Sequence, residues 1–111
     1  HAPFFVAIIK GYLEIAEQLL YDEMSDINQK DYEGDTPLHW AVLLDNGPAV
    51  QFLLANGADV SIQNNKRNNV IMIACINQRL EILRQLIEHM INIGKQELAN
   101  RQMTLVDAQM Q

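Results

Sequence analysis

The clearest hydrophobic pattern along the chain is a helical one over residues 80–91. Apolar side chains recur there every three or four positions, and polar side chains fill the positions between them. The apolar members are Leu80, Ile82, Leu83, Leu86, Ile87, Met90 and Ile91, and the polar members are Glu81, Arg84, Gln85 and Glu88. This spacing predicts an amphipathic helix with one buried face. Because nothing at Met90 stops it, we expect the helix to continue to Gly94.

Apolar segments earlier in the chain predict two further pairs of helices. Residues 3–9 and 13–22 form the first pair, and both show apolar positions at helical spacing. In the second pair, Thr36 is a good N-cap and Pro37 suits the first helical position, where no N–H is needed. Gly57 is a natural left-handed residue just past the end of the last of these helices.

The pattern repeats along the chain at a nearly constant distance. Alanines recur at Ala7, Ala41, Ala74 and Ala108, with spacings of 34, 33 and 34 residues. Apolar pairs recur at Leu19-Leu20, Leu53-Leu54 and Leu86-Ile87, with spacings of 34 and 33 residues. A small residue at a fixed phase lets neighbouring helices approach closely, and the apolar pair fills their shared core. The chain is therefore expected to be built from stacked copies of one structural unit.

Two motifs within the second unit identify the kind of repeat. Residues 36–41 read TPLHWA, and residues 53–60 read LLANGADV. Both resemble the signature of the ankyrin repeat, a unit of about 33 residues. The resemblance implies an all-α solenoid of stacked helix-turn-helix units with short β-turn or hairpin tips. It implies one domain over 1–111, with units at about 1–30, 31–63 and 64–94 and a partial unit at 95–111.

A fourth unit is expected to start within the last segment, where residues 103–108 fall in the right phase. We therefore expect the 111 residues to be a piece of a longer array. The resemblance is most specific over residues 31–63 and weaker elsewhere, because residues 69–74 keep a capping residue but lack the proline and histidine of the motif.

Charge and composition narrow the classes of partner. The formal net charge is −6, and residues 1–36 carry the whole excess of acidic over basic side chains. An acidic surface argues against nucleic acid as the main partner. No apolar run reaches the roughly 18 residues of a membrane span, and secretion is not expected, because the first residues show no charged-then-apolar leader pattern. The single cysteine suits a reducing compartment, so we expect a cytoplasmic location, which would be the host cytosol for a bacterial effector.

The sequence offers no arrangement of side chains for catalysis, so no enzyme activity is expected. Cys75 follows the repeated alanine of the third unit, and we expect a buried, inert thiol there. The histidines His1, His39 and His89 show no metal-ligand spacing, so neither a metal nor a cofactor is expected. The ankyrin resemblance implies that the imidazole of His39 makes local hydrogen bonds that tie the tip to the helix.

The resemblance places the candidate binding residues on the tips and on the exposed side of each first helix. The resulting partner-binding set is Tyr32, Glu33, Asp35, Leu43, Leu44, Lys66, Arg67, Ile76 and Asn77. Ile9, Leu43 and Ile76 share one phase and should form an apolar row across three units. An exposed apolar row beside polar tips is typical of a protein-binding patch. The alternative is that these residues pack against one another or against a neighbouring unit. Trp40 is expected in the core.

The expected function is protein–protein recognition within a larger scaffold, adaptor or effector protein, with a partner that offers basic groups to the acidic tip. The alternative is a regulatory segment of a larger enzyme or channel.

Asn28 is a candidate modification site, because residues 20–28 resemble substrates of an asparaginyl hydroxylase that acts on ankyrin loops. Asn28 holding its turn by hydrogen bonds is the simpler interpretation.

Overall fold

The computed structural model describes residues 2–110, with the side chains of residues 2–101, and its regular elements are helices. They are α1 (Pro3–Lys10), α2 (Leu13–Asp22), α3 (Pro37–Leu43), α4 (Gly47–Ala55), α5 (Val70–Ile76) and α6 (Leu80–Met110). Each odd-numbered helix packs against the even-numbered helix that follows it. The odd-numbered helices also form a row, with α3 between α1 and α5, and α4 contacts α6. The fold is therefore the expected all-helical stack of helix pairs.

Apolar side chains at the repeated phases form one continuous core. Its fully buried members are Phe4, Ile8, Leu38, Val42, Val50, Leu53, Val70, Ile82 and Leu86. Ala7, Ala41 and Ala74 are buried as well, on the helices that form the row. These positions confirm that the repeated alanine lets adjacent helices approach closely. The side chain of Ala108 lies outside the described residues.

Local capping signals explain where several helices begin. The Thr36 side chain accepts a hydrogen bond from the backbone N–H of His39, and Pro37 occupies the first helical turn, as expected. Asn46 and Asn69 accept equivalent bonds at the starts of α4 and α5. Gly57 follows the last helix of the second unit with a φ of 88°, in the left-handed region that the sequence predicts.

The tips between the helix pairs are hydrogen-bonded turns. In the second unit the N–H of Gly34 donates to the carbonyl of Asp31 at 3.0 Å. In the third unit the N–H of Arg67 donates to the carbonyl of Asn64 at 2.9 Å. We call residues 31–35 the second-unit tip and residues 64–68 the third-unit tip. They lie at equivalent positions, one repeat apart.

The last helix is longer than the sequence pattern predicts. α6 continues past Gly94 to Met110, so residues 80–110 form one helix without an intervening turn. A glycine inside a helix costs only about 1 kcal/mol and does not end it, and no proline follows. Residues 103–108, where a fourth unit is expected to start, lie in this helix, and their side chains are outside the described part. The unit boundaries stay predictions from the repeat spacing.

The expectation of a buried thiol at Cys75 is wrong, because this side chain is exposed. The equivalent residues of the first two units, Ile8 and Val42, are fully buried. In those units a further helix of the row packs against the first helix of the pair, whereas the main helix contacts of α5 are with α3 and α6 in the described structure. Burial at this phase therefore depends on the next unit and not on the residue itself.

Candidate functional site

A groove of about 530 Å³ lies between the two tips and the helices α3 and α5. We call it the concave groove. Four side chains of the helices form its apolar part: Trp40, Leu43, Ile73 and Ile76. Residues of the tips form its polar edges: Tyr32, Glu33 and Asp35 on one side, and Asn64, Asn65, Lys66 and Asn68 on the other. The buried His39 completes the lining.

The structure brings most of the sequence-predicted binding residues together in this groove. Those that line it are Tyr32, Glu33, Asp35, Leu43, Lys66 and Ile76. Tyr32 is almost fully exposed, at 99% of its surface, and Leu43 and Ile76 are exposed at 38% and 65%. The apolar row is therefore open to solvent at these two positions, whereas Ile9 on α1 is half-buried.

Three residues of the predicted set do not line the groove. Leu44 is exposed and caps the end of α3. Arg67 is exposed on the third-unit tip, with a left-handed backbone. The side chain of Asn77 donates to the carbonyl of Ile73 at 2.9 Å, a bond that caps the end of α5. The role of these three residues in binding stays a prediction.

The expectation of a core position for Trp40 is wrong, because the side chain is half-buried and lines the groove. Its indole N–H donates to Oδ2 of Asp31 at 2.9 Å, and this bond fixes the ring against the second-unit tip. The spacing contained the signal: Trp40 precedes Leu43 by three positions, so the two side chains share one side of a helix. A large aromatic side chain was wrongly assigned to the core because of its size alone.

The imidazole of His39 joins three parts of the molecule. Its Nδ1 accepts the backbone N–H of Thr36 at 3.1 Å, so the ring proton lies on Nε2. The Nε2–H group then donates to the carbonyl of Asn68 at 2.9 Å, on the third-unit tip. The expected tie between tip and helix is confirmed, and the structure adds a bond to the next unit. Phe5 and Met72 occupy the equivalent positions and offer no such bond.

Hydrogen bonds between the two tips hold the edges of the groove together. The backbone N–H of Asn65 donates to the carbonyl of Glu33, and its side-chain amide donates to the carbonyl of Tyr32, both at 2.9 Å. The side-chain amide of Asn64 donates to Oδ1 of Asp35 at 2.9 Å. A Cβ at Gly34 would lie 2.5 Å from Oδ1 of Asn65, so only glycine allows this close approach.

One edge of the concave groove carries acidic side chains, and the other carries basic side chains. Asp31, Glu33 and Asp35 belong to the second-unit tip, whereas Lys66 and Arg67 belong to the third-unit tip. Among the described residues, the side chains of Glu33 and Lys66 form no hydrogen bond or ion pair. Within the described part of the chain, the ion pairs join Arg84 to Glu81 and to Glu88 on α6. The hydrogen bond from Arg84 lowers the pKa of the Glu81 carboxyl, away from the groove.

Asn28 makes hydrogen bonds that connect two successive turns. Its Oδ1 accepts the backbone N–H of Asp59 at 2.9 Å, and its own N–H donates to Oδ1 of Asp26 at 2.9 Å. The side chain is half-buried. The structure therefore supports the interpretation that Asn28 holds its turn, and its modification stays a prediction.

The described residues hold neither a metal-binding cluster nor a membrane-spanning helix. No group of three or more histidine, cysteine, aspartate or glutamate side chains lies close enough together there to hold a metal ion. None of the helices in that part of the chain combines the length and the hydropathy that crossing a membrane requires.

Comparison with known proteins agrees with the repeat pattern. The family model described as ankyrin repeats (3 copies) matches residues 1–64. Alpha-latroinsectotoxin-Lt1a of Latrodectus tredecimguttatus is 33% identical over 86 residues, which cover 78% of this chain and 6% of the toxin. The human transient receptor potential cation channel subfamily A member 1 is 31% identical over 84 residues, covering 75% of this chain and 8% of the channel protein.

A putative ankyrin repeat protein of Borreliella burgdorferi is 28% identical over 92 residues, covering 83% of this chain and 42% of that protein. The chain thus spans less than half of the length of each of these relatives. The matched motifs and the stack of paired helices lead to one conclusion. The chain belongs to the ankyrin-repeat family.

Proposed function

We propose that this chain is a protein–protein interaction module that binds its partner in the concave groove. Ankyrin repeats generally bind proteins, and this family membership supports the class of function. The single observation that carries the choice of site is the apolar lining formed by Trp40, Leu43 and Ile76 between two hydrogen-bonded tips, with Leu43 and Ile76 exposed. Apolar side chains in a groove with rigid edges lose little conformational entropy when a partner covers them.

A matched pair of substitutions tests the site. Leu43 and Leu44 are neighbours with similar exposure, 38% and 45%, but only Leu43 lines the groove. We expect Leu43→Ala to weaken binding about tenfold or more, because it removes desolvated contact area at the centre of the site. Leu44→Ala should change binding by only about twofold, and the double substitution should resemble Leu43→Ala.

The measurement is the Kd of a partner first captured with the intact protein and then purified. Circular dichroism and melting temperature of each variant would confirm that the fold is retained. Equal losses for Leu43→Ala and Leu44→Ala, or no loss for either, would contradict binding in the concave groove. The outer surface of α6 around Arg84 and Glu88 would then be the next surface to test.

A second candidate function is regulation within a larger enzyme or channel. The observation in its favour is that similar segments occupy 6% of a toxin and 8% of a cation channel protein. The sequences on both sides of the 111 residues test it. A catalytic or membrane-spanning segment there would favour this candidate over a scaffold or adaptor.

The proposal also includes the absence of catalysis in this segment and a cytoplasmic location. The support is compositional: one cysteine, an acidic charge of −6 and no sequence pattern of nucleophile and base. The acidic tip also makes a nucleic acid an unfavourable partner. Fractionation of cells that express the tagged full-length protein would check the location.

A further inference from the structure

The polar groups at the edges of the concave groove are largely used within the protein. Asn65 donates hydrogen bonds to the carbonyls of Tyr32 and Glu33, and the side-chain amide of Asn64 donates to one carboxylate oxygen of Asp35. Besides the hydroxyl of Tyr32 and the side-chain amide of Asn68, three charged groups at these edges form no bond with the described residues. They are the carboxylate of Glu33, the second oxygen of Asp35 and the ammonium group of Lys66.

Trp40 adds an aromatic surface next to the acidic edge. Its indole N–H is held by Asp31, so the ring has a fixed orientation in the groove. Tyr32, at the same edge, is almost fully exposed. The face of an indole ring attracts a cation, and tryptophan is the strongest of the aromatic side chains in this respect. Carboxylates and an oriented aromatic ring therefore act on the same class of ligand group.

We propose that the concave groove selects an extended peptide segment of its partner in which an arginine or lysine has an aliphatic residue two positions before it and two positions after it, so that the three side chains lie on one face of the extended chain. The basic side chain lays its aliphatic stem along Trp40 and Leu43, and its cationic head reaches Glu33 and Asp35. The flanking aliphatic residues cover Ile73 and Ile76. Arginine is preferred over lysine, because its planar guanidinium group both stacks on a ring and bonds a carboxylate.

The charge of the opposite edge gives this segment a direction. Lys66 on the third-unit tip repels a second cation, so the basic residue of the partner lies toward the second-unit tip. Since Glu33 and Lys66 are exposed, their contribution should decrease as salt increases. A nucleic acid is disfavoured, because its phosphates would meet Glu33 and Asp35. This inference depends on the proposed binding function of the groove.

Fluorescence of Trp40, the only tryptophan of the chain, reports directly on the groove. The probes are synthetic peptides of about ten residues, Gly and Ser except for a central Leu-Gly-Xaa-Gly-Leu, in which Xaa is Arg, Gln or Glu. We expect the Arg peptide to bind about tenfold more tightly than the Gln peptide and the Glu peptide to bind weakest. The advantage of Arg should decrease between about 0.05 and 0.5 M salt.

Two variants and a matched control identify the groups responsible. Glu33→Gln should remove most of the advantage of the Arg peptide, and Lys66→Gln should strengthen its binding by about threefold. Glu14→Gln is the control, because Glu14 is an exposed glutamate on α2 outside the concave groove. It should leave all three affinities unchanged.

The outcomes separate this inference from the proposed function. Equal binding of the three peptides, no effect of Glu33→Gln, or no binding of any peptide would overturn the preference for a basic residue. Binding in the groove would still stand if Leu43→Ala weakened the natural partner. A single-stranded oligonucleotide that quenched Trp40 more strongly than the Arg peptide would overturn the assignment of a peptide ligand.

Discussion

At the scale of single residues, backbone conformation at the turns follows the repeat and not the residue type. Asp45 and Gln78 have φ values of 57° and 54°, and Gly11 has 75° at the equivalent position of the first unit. Arg67 has a φ of 64°, and Gly34 has 78° at the equivalent position of the second unit. A non-glycine residue in the left-handed region costs roughly 1–2 kcal/mol, less for Asp or Asn. Packing of the helices therefore imposes these conformations.

Arg67→Gly is expected to stabilise the protein. Glycine adopts the left-handed region without the steric cost that arginine carries, although it loses more backbone entropy on folding. The net gain in the free energy of unfolding should be about 0.5–1 kcal/mol, measured by urea denaturation. Lys66→Gly is the control, because Lys66 does not have a positive φ, and it should be neutral or destabilising. A loss of stability in Arg67→Gly would show that its side chain makes a compensating contact.

Sequence reasoning succeeded where the deciding interaction is local. Thr36 and Pro37 start α3 as predicted, because a cap and a proline act within one helical turn. It failed at Cys75 and Trp40, whose burial depends on what lies against the helix. The repeat spacing predicts which positions of the units are equivalent. It does not predict whether a neighbouring helix covers those positions in the last unit. Most of the groove was predictable, because the ankyrin resemblance assigns the tips and the exposed side of each first helix.

At the scale of elements, α3 lies between two helices of the row, whereas α1 and α5 each have one described neighbour in it. α3 packs against α1, α4 and α5, and α4 contacts α6. α6 differs from the other helices, because its side chains from residue 95 to 101 are all exposed. The sequence pattern could not give its end, because nothing after Gly94 opposes a helix strongly. Only tertiary packing would have ended it earlier.

Leu53→Ala is expected to be strongly destabilising. Leu53 lies on α4 and is fully buried in the core, so truncation leaves a cavity between helices. Comparable substitutions cost about 2–5 kcal/mol, which is a large part of the total stability of a small domain. Thermal and urea denaturation would measure the loss.

Leu98→Ala, on the exposed part of α6, is the control for Leu53→Ala and should change stability by less than about 0.5 kcal/mol. A melting temperature of Leu53→Ala within about a degree of the parent protein would contradict the core position of Leu53.

At the scale of the whole molecule, the stack presents an apolar surface on the side of α5 and α6 away from α3 and α4. Met72, Cys75 and Ile87 are exposed on this side. The equivalent residues of the second unit, His39, Val42 and Leu54, are buried. Apolar surface of this kind favours self-association of the isolated chain. The molecule extends over 53 × 35 × 24 Å, and α6 accounts for most of the long dimension.

Backbone hydrogen exchange is expected to differ strongly along the molecule. Residues 95–101 should exchange fastest, because their side chains are exposed and a helix segment with little tertiary burial is marginally stable in water. Residues 2–12 should be intermediate, since the main helix contacts of α1 are with α2 and α3. The amides of α3 and α4 should exchange slowest, and the free energy of the opening that exposes them should approach the global free energy of unfolding. Exchange measured at two protein concentrations would separate fraying from self-association, because only self-association gives protection that rises with concentration. Uniform protection across residues 2–110 at both concentrations would contradict the expected gradient.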